Sequence, residues 1–507
     1  MHGAWVPMPH AGRAPTCAKT VHRRWAVLLL ALITFGAPKT ARAHGSLKSS
    51  APAAGQRVNV VPRELRLLFT EAPALAFSRL ELLGPSGAVP LSPLAIAQDS
   101  RRALVAAIPE ILIPGTYTVV WQMAGDDGHP VRGRYSFVIV SGAQALPGTS
   151  VPSARGEPTA AITAPGQRPP PSAHHDMASM PPGATFGAES PAYVAIRALL
   201  FVGLLGSIGA LVFHAVVLRR VERNHTVAFS TLTALRHGAA RVGLVSVACV
   251  SLAAGLRLIA QSYAMHPPGQ TFDLRLIGAM LTSTVWGWGW LLQLVAVIVA
   301  IAGFLSLVRG GQGWGLAGVG VIAMAFTPAL SGHAASAPAL TGLAVFADGL
   351  HVIGAGGWLG SLLLVLLVGI PAALRLGDDK RGAAVVALVS AFSPTALVFA
   401  GLAAATGVFS AWLHLGGAAP ALWQSTYGQT LLLKLALLLV VAFTGAYNWL
   451  RVKPTLGTDG STSRLRRSAG LELVVGTIVI IVTAVLVATA TPMDTRAMEP
   501  TTSSDTR

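Results

Sequence analysis

Residues 191–218 read PAYVAIRALLFVGLLGSIGALVFHAVVL, a run whose one charged side chain is Arg197. At about 1.5 Å per residue, a helix of this length crosses the ~30 Å hydrocarbon core of a bilayer. Toward the C-terminus, further apolar runs follow near 240–261, 286–308, 314–330, 341–370, 384–414, 428–450 and 469–490. The sequence therefore predicts an all-α polytopic membrane domain over 189–492, of about eight transmembrane helices, with a disordered tail at 493–507. The run at 314–330 is the shortest of the eight. Leu276 to Val285 reads as an additional interfacial or re-entrant segment, and Trp286, Trp288 and Trp290 as an interfacial anchor.

Composition agrees. The 507-residue chain is 53% hydrophobic and 11% charged, against roughly 25% charged in a soluble domain. The formal net charge of +17 includes six basic residues in 1–43 and a set in short loops between apolar runs: Arg219, Arg220, Arg223 and Arg236; Arg309; Arg375, Lys380 and Arg381; Arg451, Lys453, Arg464, Arg466 and Arg467. The opposite loops hold essentially Arg275. That asymmetry is the positive-inside pattern. It places the first set in the cytoplasm and makes the lipid bilayer, not nucleic acid, the partner of the basic residues.

Outward toward the N-terminus the character changes. Residues 142–188 are rich in Pro, Gly, Ala, Ser and Thr and read as a flexible linker; His174, His175, Met177 and Met180 within it are a weak metal-binding candidate. Residues 44–141 carry short β-type runs, among them Leu65 to Phe69, Tyr117 to Trp121 and Tyr135 to Val140. Turn signals at Gly84-Pro85-Ser86-Gly87, Pro114-Gly115 and Asp127-Gly128 separate them. They predict an all-β sandwich of the Ig-like or cupredoxin-like kind. Residues 1–43 read as a signal peptide, with Arg23 and Arg24, an apolar stretch over Trp25 to Ala37, and Ala41-Arg42-Ala43 as the cleavage pattern. The β domain and the C-terminus then lie outside the cytoplasmic membrane.

Cleavage after Ala43 makes His44 the first residue. Its α-amine and imidazole can then chelate one metal ion. Asp127-Gly128-His129 can bring a carboxylate and a second imidazole to the same ion. Three nitrogens and one oxygen in a tetragonal set favour Cu(II) over tetrahedral zinc. Glu71 is placed to orient a ligand from behind. Of the two cysteines, Cys17 leaves with the signal peptide and Cys249 sits in an apolar run, so no thiolate cluster is available.

Ionisable side chains inside apolar runs mark a second candidate site. Asp348 and His351 are three residues apart, on one helix face. His333, His414 and Lys434 belong to the same outer half of the membrane domain. His214, Asn448 and Glu472 form an inner-side set.

His44-Gly45-x-Leu47, Ser50-x-Pro52, Leu68-Phe69-x-Glu71, Gly115-x-Tyr117-x-Val119-x-Trp121 and Asp127-Gly128-His129-Pro130-x-x-Gly133 together resemble the CopC copper-binding family. In that family the first histidine and the later Asp and His bind Cu(II). Some members add a methionine cluster for Cu(I), but here Met123 is the one methionine between 44 and 141. Gly332-His333-Ala334, Asp348-x-x-His351 with Trp358-x-Gly360, Tyr427-Gly428, Lys434, Asn448 and Glu472 resemble the CopD copper-resistance membrane family. Ala391-Phe392-Ser393 departs from it, since the family often has an arginine before that phenylalanine. The two resemblances imply a CopC/CopD fusion in the bacterial inner membrane. It would bind copper outside, import it, and contribute to homeostasis or resistance, with Cu(I) as a form the membrane path can carry. Periplasmic copper donors and cytoplasmic copper acceptors are the implied partners, and no enzymatic activity is expected. A copper-buffering or metallochaperone module without transport is the first alternative. A membrane oxidoreductase is the second, although no Cys-x-x-Cys-His haem-attachment motif exists.

The amine-imidazole chelate makes a sharp prediction. One extra residue before His44 should abolish tight Cu(II) binding, measured by competition titration, with the circular dichroism spectrum unchanged. In the native form affinity should rise with pH as the terminal amine, which ordinarily titrates at ~7.7–8.0, loses its proton.

Overall fold

The computed structural model describes residues 46–109, 111–125, 128, 130–144, 190–225, 227–266, 269–330, 340–452, 461–489 and 491–492. The signal-peptide, linker and tail assignments, and with them His44, Asp127, His129, His174, His175, Met177, Met180 and His333, lie outside the described residues.

The first unit is a two-sheet sandwich. Its strands are β1 (Leu47–Ala51), β2 (Arg57–Val60), β3 (Glu64–Phe69), β4 (Arg79–Gly84), β5 (Gly87–Val89), β6 (Ala95–Ala97), β7 (Ser100–Ala107), β8 (Gly115–Ala124) and β9 (Pro130–Gln144). One sheet has the order β1-β3-β7-β6 and the other β2-β9-β8-β4-β5. All pairings are antiparallel except β2 with β9. Alternation of side chains along each strand is the cause: Leu65, Leu67 and Phe69 from β3 meet Tyr117, Val119, Trp121 and Met123 from β8 in one buried core. The Trp121 ring packs edge-on to Phe69, centroids 5.3 Å apart. Tyr117 donates its hydroxyl to Ile113 O at 2.9 Å, tying the entry of β8 to its own loop. Strand β9 runs past the expected limit of 141 to Gln144.

The second unit is helical: α1 (Pro191–Arg223), α2 (Phe229–Met265), α3 (Leu274–Ser283), α4 (Val285–Val308), α5 (Trp314–Leu330), α6 (Thr341–Leu374), α7 (Asp378–His414), α8 (Thr426–Arg451) and α9 (Ser461–Leu486). Among the described residues seven helices are long and apolar enough to cross a membrane. The remaining expected span is α5, an apolar helix of 17 residues that extends about 26 Å at the helical rise and packs along α4. The segment expected at Leu276 to Val285 is the short helix α3, which ends at Ser283 and is followed by α4.

Without a hydrophobic drive between helices in lipid, close approach depends on small residues. Helix α6 shows this. Added side chains at Gly349, Gly354, Gly356 and Gly357 would run into Phe326, Ala403, Ile208 and Phe399 respectively. At the α1–α6 crossing Gly209 and Gly360 are backbone to backbone, and a Cβ on either would overlap the other helix. Gly360 is the glycine of Trp358-x-Gly360, so that motif secures a helix crossing.

Gly209→Leu should therefore separate α1 from α6, at a cost of roughly 1–3 kcal/mol or more. A lower thermal midpoint of the detergent-solubilised protein would register it. Gly318→Leu, at a glycine with open space around it, should leave the midpoint near wild type.

Candidate metal-handling site

The β sandwich sits on the ends of α2 and α4. The last carbonyls of a helix lack intrahelical partners and lie at its negative end, and α2 has no basic residue in its last turn. The β domain supplies the donors. Arg79 Nη2 donates to Met265 O at 3.0 Å and Gln122 Nε2 to the same carbonyl at 3.2 Å. Arg132 Nη2 donates to Ala264 O at 2.8 Å, while its Nε holds Gln122 Oε1 at 2.9 Å. Burial, then the neighbouring Arg132 charge, lowers the pKa of Arg79, with Glu81 acting against both.

The turn after β8 enters this seam. Gly128 N donates to Gly125 O at 3.0 Å, closing a four-residue turn, and Gly128 has φ +80°, where glycine is favoured. Gln261 of α2 donates its Nε2 to Gly128 O at 2.7 Å. A Cβ on Gly128 would lie 3.0 Å from Thr284 and 3.1 Å from Trp286 Cβ, so the turn is pressed against the start of α4. Glu71 is half-buried behind it, its Oε1 2.5 Å from where a Cβ on Gly125 would stand. The carboxylate thus occupies the space the glycine leaves.

Beneath the turn lie polar groups that sequence reasoning misses. Arg257 Nη1 donates to Gln293 Oε1 at 3.1 Å, and its guanidinium lies 5.9 Å from the Trp286 ring centroid. Arg197 stands over Tyr193 at 4.6 Å. The signal is present, since Arg197 and Arg257 are charges inside apolar runs.

Deeper in the membrane domain, Lys434 is the charged group whose field reaches both Asp348 and His351. His351 Nδ1 is 2.9 Å from Ala403 O and 3.2 Å from Thr406 Oγ1. A carbonyl can only accept, so Nδ1 carries the proton and Nε2 the lone pair, as in a metal-ligating histidine. Gly407 makes room for the ring, a Cβ there falling 3.0 Å from His351 Cε1. His414 is not drawn into this group. It lies eight residues beyond Thr406 on α7, about 12 Å along the helix, with Nδ1 3.0 Å from Tyr427 OH. Among the described residues no three His, Cys, Asp or Glu side chains stand close enough to hold one ion. On the inner side Asn448 donates to Glu472 Oε1 and accepts from Ser468, and His214 stacks on Trp314 at 3.8 Å.

The chain matches known copper proteins along most of its length. The CopC domain matches residues 47–140, the copper resistance protein D-like N-terminal domain 188–343, and copper resistance protein D 386–486. Copper transport protein CutJ of Bacillus subtilis (strain 168) is 23% identical over 92% of this chain and 78% of its own. Copper resistance protein C of Escherichia coli is 32% identical over 21% of this chain and 90% of its own. The crystal structure of PcoC, a methionine-rich copper resistance protein from Escherichia coli, covers 19% of this chain and 99% of that one at 33% identity and a TM-score of 0.18. The chain belongs to the CopC/CopD copper-resistance family, with both parts fused.

In CopC terms, Gly133 pairs with Trp121 across β8 and β9, and an added side chain would strike the indole. The motif glycine therefore seats the tryptophan. In CopD terms, the departure at Ala391 has a partner. Arg220 from the end of α1 donates Nη1 to Ala391 O at 3.2 Å and Thr395 Oγ1 at 3.0 Å, so a guanidinium from another helix reaches this place.

Gln261→Ala combined with Arg132→Ala should loosen the dock. It removes two cross-domain hydrogen bonds, one of them charge-assisted, together worth about 2–4 kcal/mol. Spin labels on the β domain and α4 should then report a broadened distance distribution by pulsed electron resonance, with the sandwich still folded.

Proposed function

We propose that this CopC/CopD fusion imports copper across the bacterial cytoplasmic membrane and acts as a carrier, not as an enzyme. His44, Asp127 and His129 capture Cu(II) on the periplasmic side, with Glu71 behind them. The membrane domain takes the ion onward past His333, Asp348 and His351 toward a cytoplasmic acceptor. The observation that carries this reading is the seating of Gly128, the residue between Asp127 and His129, against Gln261, Thr284 and Trp286. Gly128 is held against the membrane domain, which supports a hand-over from the neighbouring capture residues to that domain. The β domain lies at the α2 C-terminus, opposite the arginine-rich α1–α2 connection, in keeping with a periplasmic position. His351, with Nδ1 pinned, is the first ligand to assign in the membrane path, with Lys434 near it and His414 further out on α7.

Radioactive copper uptake into proteoliposomes tests the reading. Wild type should show saturable uptake. His351→Ala should abolish it, and His44→Ala should weaken it at low external copper. Stoichiometric Cu(II) binding with no uptake would make the protein a buffering or metallochaperone module.

A further inference from the structure

His266 caps the outer end of α2 and is 3% exposed. No family motif quoted above includes it. Ser262 Oγ donates to Thr271 O at 2.6 Å. A hydroxyl has one proton and a carbonyl can only accept, so the 2.8 Å contact between Ser262 Oγ and His266 Nδ1 has the histidine as donor. Nδ1–H is thereby fixed, and Nε2 carries a lone pair. That nitrogen is buried with no hydrogen-bond partner among the described residues. Burial, then the Arg79 charge, holds the His266 pKa below the usual imidazole value, with Asp273 opposing.

The surroundings are soft and dry. The His266 ring lies 5.8 Å from that of Phe77. Phe77 belongs to a buried cluster with Ala124, Met265, Met280, Trp286 and Trp290, drawn from both domains. Met265 and Met280 are fully buried there. Imidazole and thioethers withdrawn from water are a donor set for a monovalent soft ion, since a divalent ion would lose far more hydration on entry. The CopC part lacks its own methionine cluster, and the seam brings two methionines from the membrane domain against it.

We propose that His266 Nε2, with the thioethers of Met265 and Met280, forms a monovalent copper site in the seam between the β domain and the membrane domain. This rests on the copper-import reading and names ligands for copper that arrives already as Cu(I), beside the Cu(II) capture site and not downstream of it. Binding forms one Cu–N and up to two Cu–S bonds, displaces no proton from the neutral ring, and changes no oxidation state.

The test is titration of the full mature protein in nanodiscs, anaerobically, with Cu(I) against the chromogenic chelator bicinchoninate, beside a separate Cu(II) titration. Wild type should retain one equivalent of Cu(I), and X-ray absorption should show both nitrogen and sulfur neighbours. His266→Ala and the shape-conserving Met280→Leu should each weaken Cu(I) retention at least tenfold and leave Cu(II) stoichiometry unchanged. Equal Cu(I) affinity in wild type and both variants overturns the seam site. Cu(II) bound without any Cu(I) overturns it too and leaves the capture reading standing, whereas loss of both from wild type overturns the copper reading itself.

Discussion

Two carbonyl oxygens, those of Ala264 and Met265 at the end of α2, organise the meeting of the two halves. A helix that ends at the edge of the membrane presents unsatisfied acceptors and a partial negative charge. Here the acceptors are satisfied from another domain by Arg79, Gln122 and Arg132. Because Arg132 also holds Gln122, the three donors are a connected set, and loss of one frees another. The cap fixes the distance and tilt of β8 and β9 over α2. That in turn presses the turn at Gly128 onto Trp286 and closes the apolar cluster around Phe77.

Such a dock need not be strong to be populated. A tether that lets the domains meet gives an effective concentration of about a millimolar. An interface with an intrinsic dissociation constant near 1 mM, about 4 kcal/mol, would then be half occupied. The cross-domain hydrogen bonds, at about 1–3 kcal/mol each where charged, exceed that threshold only modestly. The buried apolar cluster around Phe77 adds to these bonds across the same seam.

Much of this is readable in the chain and some is not, for physical reasons. Alternating Leu65, Leu67 and Phe69 announce a half-buried strand. The apolar runs announce helices, because the bilayer leaves few other choices. Spacing alone puts Asp348 and His351 on one face, and polar residues in apolar runs point to Asn448 and Glu472, which are bonded to each other. The dock is invisible because half of its groups are backbone carbonyls, which every residue has. The cradle of His351 is hidden for a related reason: Ala403, Thr406 and Gly407 are ordinary small residues, and their role depends on α7 crossing α6. Arg257 is legible as a charge in an apolar run, but only the fold shows that it lies by Trp286, against which Gly128 is pressed.

His266 and His351 share one construction reached by two routes. In each, an oxygen acceptor takes the Nδ1 proton and leaves Nε2 as the donor atom. For His266 the acceptor is a hydroxyl one turn earlier on its own helix, whose own proton is committed to Thr271. For His351 it is a carbonyl on a different helix, with Thr406 beside it. Fixing the tautomer this way removes the choice a free imidazole has and orients the lone pair before any ion arrives. A neutral nitrogen donor also suits a protein interior better than a carboxylate would, since it brings no charge that must be balanced when the ion has moved on. Asp348 is the exception, and the charge of Lys434 acts on it. The membrane domain thus keeps the carboxylate beside His351 in the field of a lysine, so that it does not stand as an uncompensated buried charge.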